Sequence, residues 1–327
     1  VWVGAARRIG LRVIRTPDAY AATDGRGTLA IGDDATLDRD DSLAQMIFHE
    51  LCHSLVEGAD SFGVRDWGME ASSSPGVPDH DWREHACLRV QFVLTARHGL
   101  RALFAPTTDF RAFWDRLSGD VLADRTERSV QAAITALGRV DKPPWAPALG
   151  EALAATSAIA REAARFAPEP GVLWAGIAEP PALHPTGLPA GSAAGTCGDC
   201  AWRHGTHRCR QASGKVDPSW PACERYEAAL DCQTCGACCR AAYHSVEVSK
   251  RDPVVKKQPS YIVDRTTYLE IRREGDRCSA LHGGQLEGDH QTRFHCVIYD
   301  DRPKTCRDFT LGSAHCLTAR RRVGLSL

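Results

Sequence analysis

The chain has 327 residues, 43% hydrophobic and 25% charged, with a net charge of −1. That length suits two domains with cores of their own, and the near-even balance gives no ground to expect a nucleic-acid clamp built on net positive charge. No apolar run reaches the roughly 20 residues of a membrane span and no charged-then-apolar leader opens the chain, so a cytoplasmic, non-membrane protein is expected.

Near the start, Leu11 to Arg15 and Thr28 to Ile31 read as short strands around a turn at Gly25 and Gly27. The pattern then becomes helical. Ser42 and Gln45 have capping-box spacing, Leu43, Met46, Ile47, Leu51 and Leu55 form an apolar stripe, and Gly58 supplies a stop. A Ser/Pro/Gly/Asp loop over 71–81 leads to a helix over 82–98, and further helices are expected at 110–117, 127–137 and 149–166. Residues 167–195 turn to Pro, Ala and Gly, the composition of a linker, with Val172 to Ile177 as a short apolar segment able to dock.

The helix that starts at Ser42 carries His49-Glu50-Leu51-Cys52-His53. Histidines four apart lie one turn apart on a single face, so both can reach one zinc, while Glu50 projects beside the metal's water. Zinc would acidify that water, and Glu50 as general base would take its proton and later deliver it to the leaving amine. An ordinary amphipathic helix with solvated or hydrogen-bonded His49, Glu50 and His53 is the bland alternative. Against it stand the TLAI strand upstream, suited to hold an extended peptide by its edge, and the next helix, able to return a third ligand. There Glu84 and His85 are neighbours about 100° apart, so one of them faces the site; Glu84 is preferred. His80, Asp79, Glu57 and Glu70 are poorer candidates. A transition-state donor is not identifiable, though His85, His98 and Arg89 are available. Over about residues 28–98 this arrangement resembles the gluzincin branch of zinc metallopeptidases, which implies two His ligands joined by a Glu from a later helix.

Of fourteen cysteines, Cys52 and Cys87 sit alone in helical patterns and read as small buried hydrophobes; the other twelve crowd between 197 and 316. In a chain without a leader, C-x2-C spacing points to metal rather than disulfides. Cys197, Cys200, Cys209 and Cys223 could form one tetrahedral zinc site, with His204 and His207 as weaker substitutes. Cys232, Cys235, Cys238, Cys239, Cys278, Cys296, Cys306 and Cys316 form a second group of eight. Zinc and iron–sulfur both suit soft thiolates, and spacing does not choose between them. Residues 1–195 hold 19 basic and 25 acidic side chains and residues 196–327 hold 21 and 16, so the basic excess falls where thiolates would be offset. Without a basic stripe carrying interleaved aromatics, nucleic acid is the weaker partner class.

The CxxCxxCC opening at Cys232 and the stretch from Cys296 through Tyr299, Arg302, Pro303, Cys306 and Arg307 to Phe309 resemble the YkgJ-type cysteine-cluster family over about 231–317. That family is described as zinc- or iron-chelating. Related clusters in flagellin lysine methylases imply an iron–sulfur alternative. Arg302 and Arg307 are candidates to balance cluster charge, and His295 and His315 are the histidines best placed beside cysteines.

The expected architecture is α+β: a mainly helical, zincin-like domain with a small sheet at 1–166, a linker at 167–195, a four-cysteine segment at 196–230 and a loop-rich, metal-stabilised cysteine-cluster domain at 231–327. The expected function is a zinc-dependent, peptidase-like hydrolase acting on a peptide or protein, with zinc at the HExxH site and zinc or an iron–sulfur cluster at the cysteines. The alternative is an iron–sulfur or zinc-chelating redox or peptide-modifying module whose HExxH domain is not a peptidase.

Overall fold

Trp2, Ala5, Ala6 and Ile9 repeat at helical spacing and are buried along one face of α1 (Trp2–Ile9), which ends at Gly10 in the left-handed region. Sequence reading left this stretch without a helix. The computed structural model describes residues 1–67, 81–107, 109–169 and 172–327. They divide into two compact units, Val1–Ala123 with Ala132–Ala182, and Asp124–Gln131 with Leu183–Leu327. Mixed helices and small sheets make the architecture α+β. No helix among the described residues is long and apolar enough to cross a membrane.

In the first unit, β1 (Arg12–Thr16), β2 (Ala21–Thr23) and β3 (Thr28–Gly32) form a sheet in the order β1-β3-β2, with β3 parallel to β1 and antiparallel to β2. The TLAI segment is therefore the central strand, paired on both sides. It offers no edge to a peptide, contrary to expectation; the edges of this sheet are β1 and β2. Leu29 and Ile31 of β3 are fully buried.

Next comes α2 (Leu43–Glu57), whose Ser42 N-cap side chain accepts a hydrogen bond from the Gln45 amide at 3.1 Å, while Gly58 closes the helix at φ 94°. It packs against α3 (Asp81–Arg97) and α1. Phe48 meets Trp2 and Phe104 in a ring cluster with centroids 4.9–5.5 Å apart. Then follow α4 (Arg111–Arg116), α5 (Arg128–Leu137) and α6 (Ala148–Ala164). Trp145, buried, donates its indole N–H to Ser54 of α2 at 2.8 Å.

The Pro-rich stretch is pinned at both ends. A 3-10 turn spans Leu173–Gly176, and the Ala178 amide bonds the Gly99 carbonyl in the first unit. Within the second unit, Ala190 bridges to Cys223 and Thr196 to Pro221.

The second unit has little regular structure. Its elements are β4 (Arg203–His204), β5 (Arg208–Cys209), α7 (Cys232–Cys235), β6 (Glu247–Val248), α8 (Pro253–Lys257), β7 (Ile262–Asp264), β8 (Leu269–Ile271), β9 (Arg273–Glu274), β10 (Arg277–Cys278), β11 (Leu281–His282), β12 (Leu286–Glu287), β13 (His290–Gln291), β14 (His295–Cys296), α9 (Lys304–Arg307) and α10 (Ala314–Arg322). Buried Glu227 accepts from the indole of Trp202, the hydroxyl of Ser326 and the guanidinium of Arg320, tying the four-cysteine segment to α10.

Candidate metal centres

The α2–α3 pair builds the first centre. Periodicity turns His49 and His53 to one side of α2, and α3 brings Glu84 against them. The two Nε2 atoms are 3.1 Å apart, and the Glu84 carboxylate oxygens lie 3.3 Å from His49 Nε2 and 3.0 Å from His53 Nε2. Tetrahedral ligands about 2.0–2.1 Å from zinc stand about 3.3 Å from one another. The two histidine nitrogens have about that spacing, and each has one of the two Glu84 oxygens at a similar distance, Oε1 at His49 and Oε2 at His53.

Burial works against charge on both sides of the pair, but the mutual attraction prevails. Glu84 is drawn down to about 2 by His53 and His49, while Glu84, with help from Glu50 and Glu57, raises His53 to about 9. Burial raises Glu50, against the pull of His53 and His49. Among the described residues, Glu50 Oε2 and His53 Nδ1 are buried without a hydrogen-bond partner. An unsatisfied carboxylate oxygen beside a three-donor set is costly unless a water or substrate proton meets it.

Gln91 is the functional neighbour that sequence reading missed. Its amide nitrogen donates to the Phe104 carbonyl, so its oxygen must accept from His49 Nδ1, at 3.0 Å. This leaves the His49 Nε2 lone pair facing Glu84 and His53. Gln91 lies two turns beyond Glu84 on α3, and nothing in the spacing of the α2 motif points to it. His85 stacks on Phe113 with centroids 3.9 Å apart and lies outside the donor set. Arg89 donates to the Val121 carbonyl. Glu57 pairs with Arg83 at 3.1 Å. His80, Asp79, Glu70 and most of the loop at 71–81 lie outside the described residues.

Cys52 and Cys87 are both fully buried, as hydrophobes would be. Cys87 also completes a four-residue donor group with His49, His53 and Glu84, all within 4.8 Å. Its sulfur touches His49 on the Nδ1 edge, at 3.8 Å, and burial pushes its thiol up.

If metal occupies this centre, its uptake at pH 7 is expected to release a proton. His53 is charged in the metal-free protein up to about pH 9 and must be neutral to ligate, so affinity should rise about tenfold per pH unit below that value. Calorimetry in buffers of different ionisation enthalpy reads this directly. Zinc binding at pH 7 with no proton released would contradict the assignment of His53.

In the second unit, Cys197, Cys200, Cys209 and Cys223 line one cavity. Burial, then the neighbouring thiols, push Cys197 up to about 11. His184 Nε2 lies 3.3 Å from Cys197 Sγ, with Nδ1 2.6 Å from Thr186. Sequence reading missed this histidine because it sits in the Pro-rich stretch at no ligand-like spacing. His204 and His207 sit in the β4–β5 hairpin and do not line the cavity.

Six of the eight remaining thiols, all but Cys232 and Cys306, belong to or pack against small apolar clusters. Across both groups, the backbone N–H two residues on points at sulfur: Trp202 at Cys200, Gln211 at Cys209, Arg225 at Cys223, Ala237 at Cys235, Ala280 at Cys278 and Ile298 at Cys296. Such donors favour a thiolate, whereas burial pushes several of the thiols up, as with Cys232 to about 11 and Cys306 to about 12, while the contact with Cys239 lowers Cys238 to about 7. Sites that supply thiolate hydrogen bonds yet leave the thiols protonated suit a soft metal cation.

Residues 231–321 match the CxxCxxCC family, described as "Putative zinc- or iron-chelating domain". The match spans all eight thiols from Cys232 to Cys316. This chain is a metal-binding protein. No curated protein and no solved structure matches it.

Arg302 neighbours Cys296 and Cys306, as a counter-charge would. Arg307 instead reaches the Arg302 carbonyl and Asp252. His295 pairs with His282 across β11 and β14.

Proposed function

We propose that the chain is a zinc-dependent, peptidase-like hydrolase, with His49, His53 and Glu84 as the metal ligands, Glu50 as general base, and a separate structural set of cysteine-bound zinc or iron. The observation that carries this reading is the 3.0–3.3 Å spacing of the three donors beside the unpartnered Glu50 oxygen. The resemblance to gluzincins rests on the same residues. The chemistry a zinc ion supplies in such a site is acidification of water and polarisation of the scissile carbonyl. Glu50, raised by burial, removes a proton from the attacking water as its oxygen bonds the carbonyl carbon. When the C–N bond breaks, Glu50 returns that proton to the amine nitrogen, giving a carboxylic acid and an amine, which pass to carboxylate and ammonium at neutral pH. Gln91 holds the His49 ring in the ligating tautomer.

A second reading is favoured by Cys87. With its sulfur in the donor group, the metal would have four protein ligands and no open position, and the centre would be structural.

Elemental analysis of His49→Ala against wild type tests the site itself. The variant is expected to lose about one zinc per chain and keep the metal held by cysteine. Unchanged metal content would remove the hydrolase reading and leave the cysteines as the functional centre.

A further inference from the structure

The eight thiols between 232 and 316 do not lie in one group. Cys239, Cys278 and Cys296 pack around Val248, Val254, Ile271, Phe294 and Ile298. Cys235 and Cys238 pack around a different cluster, with Ala237, Ala242, Ala319 and Leu325. Backbone bonds follow the same division: the Cys278 amide donates to the Cys239 carbonyl, and the Val297 amide, next to Cys296, donates to the Ala280 carbonyl near Cys278.

Electrostatic neighbourhoods sort the remaining thiols. Cys232 senses Cys238, Cys235 and Cys316, and Cys316 senses Cys235 and Cys238. Cys306 senses Cys278, Cys238 and Cys296, and Cys239 senses Cys278 and Cys306 besides its neighbour Cys238. Cys238 alone appears on both sides, since Cys278 and Cys296 sense it too; its packing in the Cys235 cluster assigns it to that side, and its sulfur is 3.9 Å from that of Cys239.

Counter-charge divides in the same way. Arg240 lies near Cys235 and Arg320 near Cys316, while Arg273 lies near Cys278 and Arg302 near Cys296 and Cys306. Four thiolates around one divalent ion carry a net charge of −2, toward which Arg273 and Arg302 stand on one side and Arg240 on the other, while Arg320 is already paired with Glu227. Among the described residues, Arg240 Nε on one side and Arg273 Nε and Nη1 on the other are buried with no hydrogen-bond partner. Both guanidiniums are half-buried and hydrogen-bonded through their other nitrogens, and an anionic centre nearby would favour their charge.

We propose that this region holds two adjacent metal centres, one on Cys232, Cys235, Cys238 and Cys316 and the other on Cys239, Cys278, Cys296 and Cys306, meeting at the Cys238–Cys239 pair. The inference rests on the reading that these thiols bind metal, and adds how many centres there are and which sulfurs belong to each. The CxxCxxCC opening is thereby split: its first three cysteines serve one centre and its last serves the other. Each centre draws ligands from both ends of the region, so neither can be completed by the opening alone.

The test is zinc and iron analysis, per chain, of the full-length anaerobically purified protein and of single variants. Cys316→Ser and Cys232→Ser are expected to lose one and the same centre, and Cys306→Ser and Cys296→Ser to lose the other. Cys316→Ser combined with Cys232→Ser should lose no more than either alone, whereas Cys316→Ser combined with Cys306→Ser should lose both. If every single variant empties the whole region, or if native mass spectrometry of the wild type finds a single centre on these eight thiols, the division is wrong. The wild-type mass measurement decides even where a variant fails to fold. A wild type with no zinc or iron beyond the His49-dependent metal and that removed by Cys223→Ser would instead sink the underlying reading that these thiols bind metal.

Discussion

Removing metal from the second unit is expected to unfold it while the helices of the first unit persist. Its strands run two or three residues and α7, α8 and α9 four or five, lengths at which helices and hairpins do not hold in water by themselves. Its apolar clusters are small and three of them include cysteines. Order must therefore come from outside backbone propensity. Structural zinc in small cysteine domains contributes about 10–16 kcal/mol of apparent binding free energy, more than the typical stability of a whole domain. The first unit relies instead on α1, α2, α3 and α6 packed around Trp2, Phe48, Phe104 and Trp145. Treatment with a strong chelator under reducing conditions should expose residues 183–327 to proteolysis and hydrogen exchange, with most helical circular dichroism retained. Protection of 183–327 that survives complete metal loss would mean that the apolar clusters suffice. Acid should mimic the chelator. Burial pushes thiols such as Cys232 and Cys306 upward, so protons compete for the sulfurs as pH falls and metal leaves.

What the sequence disclosed follows the range of its signals. The helix carrying His49 and His53 was legible from end to end, because its cap, stripe and stop are local: Ser42, Gln45, the apolar positions and Gly58 all act within one element. The helical angle between neighbours lets only one of Glu84 and His85 face the site without saying which, and the structure places Glu84 beside both histidines and His85 on Phe113. Helix α1 was legible too, from the spacing of Trp2, Ala5, Ala6 and Ile9, and went unread. Strand order was not legible. That TLAI lies in the middle of its sheet depends on β2, three residues with no alternation to announce them. Gln91 and His184 act through tertiary approach alone, since nothing in their own segments marks them. The eight thiols show the limit most clearly: their spacing announces a metal, but the division between Cys238 and Cys239 falls between adjacent residues, where spacing carries no information.

Glu50→Gln is expected to lower hydrolysis by about 10²–10⁴-fold while zinc content stays at the wild-type level. The substitution keeps shape and burial and removes the one group able to take a proton from water at that position. In rate terms this is about 3–5 kcal/mol of transition-state stabilisation. Activity should also have an acid limb, since only ionised Glu50 is a base. Raising pH through that limb switches activity on; lowering it switches activity off before Glu84 is protonated, because Glu84 is held down to about 2 in the metal-free protein. A fluorogenic peptide library and an unfolded protein substrate, each followed over pH, supply the assay. If wild type cleaves a substrate and Glu50→Gln cleaves it equally well with zinc intact, Glu50 is not the base. If wild type cleaves nothing, Cys87→Ser separates the two readings of the centre. Metal retained with activity gained would show that the sulfur had been closing an otherwise competent site, and metal lost would make Cys87 a true ligand and the centre structural.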